Sequence, residues 1–214
     1  MQEALERRDC KIPAMITVLV ALVAYLVGSL SFAVIVSRAY RLPDPHSYGS
    51  GNPGATHVLR SGRKSAAVLT LLGDALKGFV VVWAVRHWDA GPGIGSSDIA
   101  IAAIAVFAGH LYPVYFGFKG GKGVATAAGI LFALSPWLGL ATLATWAAAF
   151  AVTRMSSVGA LTAAVAAPVV AVVMFGPGAI AAAVLLMGVL IVYRHRSNIR
   201  KLLAGTESRV GSRS

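Results

Sequence analysis

Long apolar runs that are almost free of charged side chains make up most of this chain. Three of them cover residues 99–116, 124–152 and 158–193. Glycine, proline and charged residues divide the apolar material into pieces, most of which approach the ~20 residues that a helix needs to cross about 30 Å of hydrocarbon. The pattern predicts about seven transmembrane helices, near residues 14–38, 65–86, 98–117, 123–135, 137–153, 157–175 and 178–194, of which the fourth is short.

The composition is that of a membrane protein rather than a soluble one. Of the 214 residues, 57% are hydrophobic and 13% are charged, whereas soluble domains carry about 25% charged residues. The formal net charge of +11 does not indicate a nucleic-acid partner, because the basic residues lie between and after the apolar runs instead of on one patch of a soluble fold. We therefore expect an all-α polytopic membrane protein embedded in a lipid bilayer.

The distribution of lysine and arginine predicts the orientation, since these residues are enriched on the cytoplasmic side of membranes. With the N-terminus outside and the C-terminus in the cytoplasm, the inner segments hold Arg38, Arg41, Arg60, Arg63, Lys64, Lys119, Lys122, Arg154, Arg194, Arg196, Arg200, Lys201, Arg209 and Arg213. The outer segments then hold only Arg7, Arg8, Lys11 and Arg86. The opposite orientation would reverse this asymmetry.

The domain organisation follows from the same pattern. The first apolar stretch, residues 14–36, is too long for the core of a secretory signal peptide, so it is predicted to be the first membrane helix. We expect an N-terminal extension at residues 1–13, a single transmembrane domain at residues 14–194 and a basic cytoplasmic tail at residues 195–214.

The chain offers little material for a disulfide or a metal site. Cys10 is the single cysteine, and the five histidines, at positions 46, 57, 87, 110 and 195, show no ligand spacing such as HExxH. We therefore expect no metal held by the protein and no cofactor.

The first polar interruption of the apolar pattern is GSGNPGATHVLR. It contains the spacing GxGxxG but lacks the βαβ setting of a dinucleotide site. Its glycines would let backbone amides approach an anion, and Ser50, Asn52 and Thr56 offer neutral hydrogen bonds. Arg60 can clamp a phosphate. A tight turn between two helices is the alternative explanation of this segment.

The second polar interruption, GFKGGKG, covers residues 117–123. It is not a nucleotide-binding Walker A motif, because its glycine spacing differs and Val124 follows where Ser or Thr would bind magnesium. Two lysines and three glycines nevertheless directly precede an apolar helix, whose free N–H groups and positive dipole end favour an anion. These five residues are Lys119, Gly120, Gly121, Lys122 and Gly123. A basic loop that only sets membrane topology is the alternative.

A few polar residues lie inside or at the end of the apolar runs. Asp74 and Lys77 are three residues apart and hence on one helical face. Charged groups at membrane depth are costly unless they are paired or face a wet cavity, so these two form either a structural ion pair or part of a site lining. His110 is expected to be a hydrogen-bonded packing residue rather than a base.

The motif YRHRSNI leaves the last predicted helix and leads into the basic tail. The spacing of three residues places His195 and Asn198 on one helical face. Topology alone is sufficient to explain Arg194 and Arg196. Ser156 and Ser157 follow Arg154 at a predicted cytoplasmic helix start, where a role in the N-cap would explain them.

Taken together, the motifs GSGNPGATHVLR, LGDALKG, GHLYPVYFGFKGGKGVATAAG and YRHRSNI resemble the PlsY family of bacterial membrane acyltransferases. The resemblance runs from about Tyr25 to the end of the tail, and the order and spacing of the motifs make it specific. It implies that residues 14–194 form an acyltransferase domain. Such a domain transfers a fatty acyl group from acyl phosphate to the 1-hydroxyl of sn-glycerol 3-phosphate. The products are lysophosphatidic acid, which is used in phospholipid biosynthesis, and phosphate. The same resemblance implies an inner-membrane location, an active site facing the cytoplasm and functional coupling to the enzyme that makes acyl phosphate.

The resemblance also implies roles for individual residues. The resemblance implies that six residues surround the phosphates of the substrates: Ser50, Arg60, Lys122, Ser157, His195 and Asn198. We expect His195 and Ser50 to be catalytic. The remaining phosphate-binding candidates are Asn52, Thr56, Gly120, Gly121 and Gly123, and the supporting candidates are Asp74, Lys77, His110 and Lys119. The chain departs from the family at His57, where Asn is usual, and at Ser197, where an acidic residue commonly stands, and the second departure puts an acidic contact from the tail in doubt.

Two other functions compete with this interpretation. A transporter of an organic phosphate would bind its substrate near the middle of the membrane, but here the polar motifs cluster on one side, which favours an interfacial enzyme. An acyl-CoA-dependent acyltransferase usually carries HxxxxD, and no histidine of this chain has an acidic residue five positions later. Because acyl phosphate brings a good leaving group, the enzyme mainly needs to align substrates and stabilise charge. The hydroxyl proton then passes to the leaving phosphate or to His195.

Overall fold

The computed structural model describes residues 14–48, 51–88 and 94–210. Within these residues the chain forms ten α-helices and one short 3-10 helix, Val114–Phe116, and no strand. The helices are α1 (Ala14–Gly28), α2 (Phe32–Ala39), α3 (Ala55–Leu59), α4 (Lys64–Arg86), α5 (Ser96–Leu111), α6 (Val124–Leu134), α7 (Pro136–Thr153), α8 (Ser156–Phe175), α9 (Ala179–Arg194) and α10 (Arg196–Leu203). The prediction of an all-α protein is confirmed. The predicted extension at residues 1–13 lies outside the described part.

Several helices are long enough to cross a membrane. Five stretches have the required length and apolar composition: Ala14–Ala39, Lys64–Arg86, Ser96–Phe116, Pro136–Thr153 and Ser156–Phe175. A sixth is present if α9 and α10, which are bent by 57° relative to one another, count as one span. The fourth predicted segment is α6, whose 11 residues extend only about 16 Å. All seven predicted apolar segments are therefore helical, while seven crossings and the orientation of the termini stay predictions.

The first predicted helix is interrupted, which the apolar pattern did not predict. The chain leaves the helix at Gly28 and resumes it at Phe32. At the break, Ser29 Oγ donates to the carbonyl of Tyr25 at 2.9 Å, and the carbonyl of Leu30 accepts a 2.6 Å hydrogen bond from Lys77 Nζ in α4. The carbonyl at the break thus gives the buried ammonium group of Lys77 an acceptor in addition to Asp74.

The third predicted helix also ends earlier than expected. Helix α5 stops at Leu111, because Pro113 lacks an N–H and disfavours helical geometry at the residue before it. After the 3-10 turn, the backbone adopts the left-handed region at Gly117, with a φ of 57°, and at Phe118, with a φ of 61°. These dihedral angles direct the chain into the glycine-rich loop, residues 117–123, that precedes α6.

Glycine allows α4 and α6 to cross closely. A Cβ atom on Gly129 would overlap the carbonyl of Ala75, and one on Gly78 would overlap the carbonyl of Thr126. At the far end of the pair, Arg86 donates to the carbonyl of Ala133 at 3.0 Å. Small residues at such crossings let helices approach without side chains between them. Because the short α6 pairs with the second half of α4, the glycine-rich loop lies beside the middle of α4 and not beside its start.

Alanine is the commonest buried apolar residue of the bundle, and only a few large side chains are fully buried. Phe107, Leu111, Ile130 and Leu138 are fully buried where α5, α6 and α7 meet. Large apolar side chains also cover the outside, as expected of helices surrounded by lipid, where the hydrophobic effect does not separate interior from surface.

Candidate functional site

Polar residues from four distant parts of the chain meet on one side of the bundle. Lys122 Nζ, in the glycine-rich loop, donates to Asn198 Oδ1 in α10 at 2.5 Å. Arg60, at the end of α3, donates to Ser208 Oγ at 2.7 Å. Ser157, in the first turn of α8, belongs to the same cluster. The structure thus brings together the side chains of Arg60, Lys122, Ser157 and Asn198, four of the phosphate-binding candidates.

Glu207 connects these side chains, and the sequence reasoning missed it. Its Oε1 accepts a 2.6 Å hydrogen bond from Ser157 Oγ and a 2.7 Å hydrogen bond from Asn198 Nδ2. The doubt about an acidic contact from the tail, which rested on Ser197, was therefore wrong. A signal was available, since Glu207 is the only acidic residue after Asp98, and a lone carboxylate in a basic tail indicates a specific partner.

The segment after α10 packs back onto the site instead of extending into solvent. Besides the contact of Ser208 with Arg60, the backbone N–H of Val210 donates to the carbonyl of Arg154 at 2.8 Å. The N-cap explanation of Ser157 was also wrong, because the N-cap of α8 is Met155 and the Ser157 hydroxyl binds Glu207. The C-terminal segment is thus part of the candidate site.

The glycine-rich loop is pressed against the end of α5. A Cβ atom on Gly120 would overlap the carbonyl oxygen of His110, and one on Gly121 would overlap the ring of His110 and approach the carbonyl of Pro53 to 2.6 Å. Gly123 adopts a φ of 86°, where a side chain would be strained. Membrane topology alone does not account for three glycines in these positions, whereas close packing of a backbone that presents N–H groups at the start of α6 does.

Arg194 makes contacts that topology does not explain. Its Nη2 donates to the carbonyl of Gly120 at 2.6 Å and its Nε to the carbonyl of Gly121 at 3.1 Å. The guanidinium group also lies 5.7 Å from the ring centroid of Tyr112. The interpretation of Arg194 as a pure topology signal was therefore wrong.

Lys122 has the electrostatic environment of an anion-binding group. Burial lowers the pKa of its ammonium group to about 8, because removal from water disfavours the charged form. The carboxylate of Glu207 opposes this shift, while the positive charges of Arg60, Arg194 and Lys201 add to it. An excess of cations around one amine leaves a local positive charge that a phosphate group would neutralise.

His195 lies at the bend between α9 and α10 and is 3% exposed. Its Nδ1 is 2.8 Å from the carbonyl oxygen of Ile191. Because a carbonyl can only accept, Nδ1 carries the hydrogen, and in the neutral ring Nε2 keeps a lone pair. Nε2 is thus the ring nitrogen that can accept a hydrogen bond or a proton, while burial lowers the pKa of the imidazole to about 4 and makes it a weak base.

The buried charges of α4 lie directly behind the glycine-rich loop. Lys77 Nζ and Asp74 Oδ1 form a 2.9 Å ion pair, with side chains 2% and 3% exposed. His110 Nδ1 lies 3.5 Å from the same Asp74 oxygen, and the carbonyl of His110 accepts a hydrogen bond from the Gly121 N–H at 3.2 Å. Asp74 and Lys77 are thus paired, and His110 connects the pair to the loop.

The other predicted residues are less closely involved. The side chain of Lys119 is exposed, and its carbonyl lies 2.8 Å from His46 Nε2. Thr56 Oγ1 is 3.5 Å from Ser156 Oγ, at the edge of the site, and Asn52 is partly buried in the loop before α3. Ser50, predicted to be catalytic, lies outside the described residues.

His57, the departure from the family pattern, stacks on Tyr48. The two ring centroids are 4.4 Å apart. Burial lowers the pKa of the His57 imidazole, so the neutral ring is favoured there. Among the described residues, no group of three or more His, Cys, Asp or Glu side chains could hold a metal ion.

Comparisons with known proteins agree on one family. Residues 18–205 match the family model described as glycerol-3-phosphate acyltransferase. A protein of that name from Herminiimonas arsenicoxydans is 61% identical over 197 residues, which cover 92% of this chain and 96% of the relative. Another from Thiobacillus denitrificans is 60% identical over 200 residues, which cover 94% of this chain and all of the relative.

Two solved structures share the fold. Both are crystal structures of PlsY (YgiH), an integral membrane glycerol 3-phosphate acyltransferase. The glycerol 3-phosphate form has a TM-score of 0.84 and 37% identity, and the match covers 91% of this chain and 96% of that protein. The lysophosphatidic acid form has a TM-score of 0.82 and 36% identity, with 91% and 95% covered.

Proposed function

This chain belongs to the glycerol-3-phosphate acyltransferase family, and we propose that its acyl donor is acyl phosphate. In this reaction a fatty acyl group passes to the 1-hydroxyl of sn-glycerol 3-phosphate, and the products are lysophosphatidic acid and inorganic phosphate. The observation that best supports the proposal is the cluster of Lys122, Asn198, Ser157 and Arg60 around the end of the glycine-rich loop. Charge-assisted donors of this kind bind phosphate oxygens, and both substrates carry a phosphate.

The proposed chemistry needs no covalent enzyme intermediate. The substrate hydroxyl oxygen attacks the acyl carbonyl carbon, the bond from that carbon to the phosphate oxygen breaks, and inorganic phosphate leaves. The hydroxyl proton goes either to Nε2 of His195, which the Ile191 carbonyl orients, or to the leaving phosphate. The cationic cluster stabilises the charge that develops on the phosphate and holds both reactants in line.

We place the reaction at the cytoplasmic face of the bacterial inner membrane. The residues of the candidate site lie in the segments that the excess of lysine and arginine assigns to the inside. This is also the side on which an enzyme that makes acyl phosphate could deliver its product. The orientation is tested with Lys119→Cys in a Cys10→Ser background, because native Cys10 would itself be labelled from outside. An impermeant thiol reagent should label this protein only in broken cells, and labelling in intact cells would contradict the orientation.

The donor is tested with purified protein in detergent, sn-glycerol 3-phosphate and either palmitoyl phosphate or palmitoyl-CoA. Lysophosphatidic acid and released phosphate are both measured. We expect product from palmitoyl phosphate alone. Product from the thioester alone would overturn the donor assignment and leave glycerol 3-phosphate as the acceptor.

Two lysines of the loop provide a matched pair of variants. Lys122→Ala removes the ammonium group that contacts Asn198, whereas Lys119→Ala removes an exposed one. We expect a large loss of turnover in the first and little change in the second, at equal amounts of protein in the membrane. Equal activity of the two variants would contradict the phosphate-binding role of Lys122. A stable acyl-enzyme trapped on Ser50 or Ser157 would contradict direct transfer.

A further inference from the structure

We propose that Arg194 is a positioning residue that sets the direction of the peptide groups in the glycine-rich loop and thereby makes the loop competent to bind phosphate. The inference rests on the proposed phosphate-binding role of this loop. Arg194 is the last residue of α9, and it reaches the loop across 73 positions of the chain. Its side chain makes no hydrogen bond to Lys122, Asn198 or Glu207 among the described contacts, and its hydrogen bonds to the loop go to backbone carbonyls.

The glycine-rich loop cannot orient itself through its own side chains. Gly120 and Gly121 have no side chain, and their backbone fits against the end of α5 so closely that a Cβ atom would collide there. The peptide groups of such a segment can rotate when nothing holds their carbonyls. Carbonyl oxygens turned toward a phosphate would repel it, whereas N–H groups turned toward it would attract it.

The guanidinium group of Arg194 removes this freedom for two consecutive peptides. Nη2 donates to the Gly120 carbonyl at 2.6 Å, and Nε donates to the Gly121 carbonyl at 3.1 Å. A trans peptide is planar, and its C=O and N–H point in opposite directions. The Gly121 carbonyl that faces Arg194 therefore turns the N–H of Lys122 away from Arg194. The preceding peptide is held from both ends, because its N–H, on Gly121, donates to the His110 carbonyl at 3.2 Å.

The geometry of arginine is needed for this arrangement. A guanidinium group presents several N–H donors in a rigid plane and can bind two acceptors at once, whereas the ammonium group of lysine is a point charge on a flexible chain. The ring of Tyr112, at 5.7 Å from the guanidinium carbon, further restricts the plane of Arg194. If Arg194 contributed only its positive charge, Arg194→Lys would keep the function. If its planar set of donors is needed, Arg194→Lys would lose it.

The test compares Arg194→Lys and Arg194→Gln with the native protein in steady-state assays in which each substrate is varied in turn. We expect the KM of one substrate, the one whose phosphate the loop binds, to rise by about tenfold or more in both variants, as a displaced loop would cause. The KM of the other substrate should change less than about twofold, which is the expectation for a local effect. Added guanidinium ion should partly restore the affected KM in Arg194→Ala.

Arg196→Gln is the matched control, because Arg196 lies two residues away and stacks on the Tyr193 ring at 4.8 Å. It should leave both constants unchanged. The inference is overturned if neither KM changes in the Arg194 variants, if both rise in parallel, or if Arg194→Lys behaves like the native protein. Thermal unfolding provides a second readout. Inorganic phosphate should raise the unfolding temperature of the native protein, and it should raise that of Arg194→Gln less. An equal rise in Arg194→Gln would also contradict the role. If the native protein makes lysophosphatidic acid while these results are negative, the proposed function stands without this inference.

Discussion

The hydroxyl of Ser157 donates a 2.6 Å hydrogen bond to the carboxylate of Glu207, 50 positions further along the chain. The same carboxylate oxygen accepts from Asn198, whose amide oxygen in turn binds Lys122. A single acidic side chain therefore determines how three phosphate-binding candidates face one another.

Glu207→Ala should lower kcat/KM by at least about tenfold, because Ser157 and Asn198 lose a charged acceptor and each such bond contributes roughly 1.5–3 kcal/mol. Glu207→Gln keeps an acceptor oxygen and should lose less activity. Asp98→Asn is the control, since that carboxylate binds Thr17 and lies in another part of the protein. Equal activity of the two Glu207 variants would contradict the hydrogen-bonding role.

The affinity for glycerol 3-phosphate should depend on pH through Lys122. Its pKa of about 8 means that the ammonium form, which attracts phosphate, predominates below pH 8 and is lost above it. The substrate phosphate stays dianionic in this range, because the second pKa of a phosphate monoester is about 6. We therefore expect KM to rise as the pH is raised through 8. Lys122→Arg stays charged and should show no such rise, and an identical profile in this variant would rule out Lys122 as the titrating group.

Glu207→Gln should shift that pH dependence to lower pH. The carboxylate of Glu207 raises the pKa of Lys122, while burial and the surrounding cations lower it. Removal of the negative charge leaves only the lowering influences, so the ammonium group should lose its proton at a lower pH. The measurement is the midpoint of the rise in KM, and a midpoint that moves upward would contradict the electrostatic coupling of the two residues.

The ion pair of Asp74 and Lys77 should be needed for stability. Lys77→Met leaves a carboxylate 3% exposed without its ammonium partner, and breaking a buried pair costs about 3–5 kcal/mol. The double variant Asp74→Asn with Lys77→Met should be more stable than Lys77→Met alone, because no charge remains buried. Reversible unfolding in mixed detergent micelles measures both values. A double variant less stable than the single one would contradict this account.

The crossing of α4 and α6 should not tolerate a methyl group. In Gly129→Ala the new Cβ atom would overlap the Ala75 carbonyl, and overpacking of this kind costs about 1–3 kcal/mol. Gly178→Ser is a suitable control, because a Cβ atom there meets nothing within 4 Å and Ser is a favoured N-cap residue for α9. Unfolding temperatures of the two variants in detergent should differ clearly, and equal temperatures would contradict the close crossing.

Most of the helical framework could be predicted from the sequence, because hydrophobic length is a local property. The segment predicted at residues 65–86 is the helix Lys64–Arg86, and the one predicted at 157–175 is Ser156–Phe175. The short fourth segment is the helix Val124–Leu134. The motifs likewise identified the family and pointed to Lys122 and Asn198, since glycines and lysines before an apolar helix carry a recognisable physical meaning.

Only the tertiary structure decided which polar groups are partners. The break that offers the Leu30 carbonyl to Lys77, the binding of the loop carbonyls by Arg194 and the return of Glu207 to Ser157 all join residues that lie far apart in the sequence. No local pattern predicts such pairs. In a low-dielectric environment every buried polar group requires a partner, and the packing of the helices determines which of the available groups comes within reach.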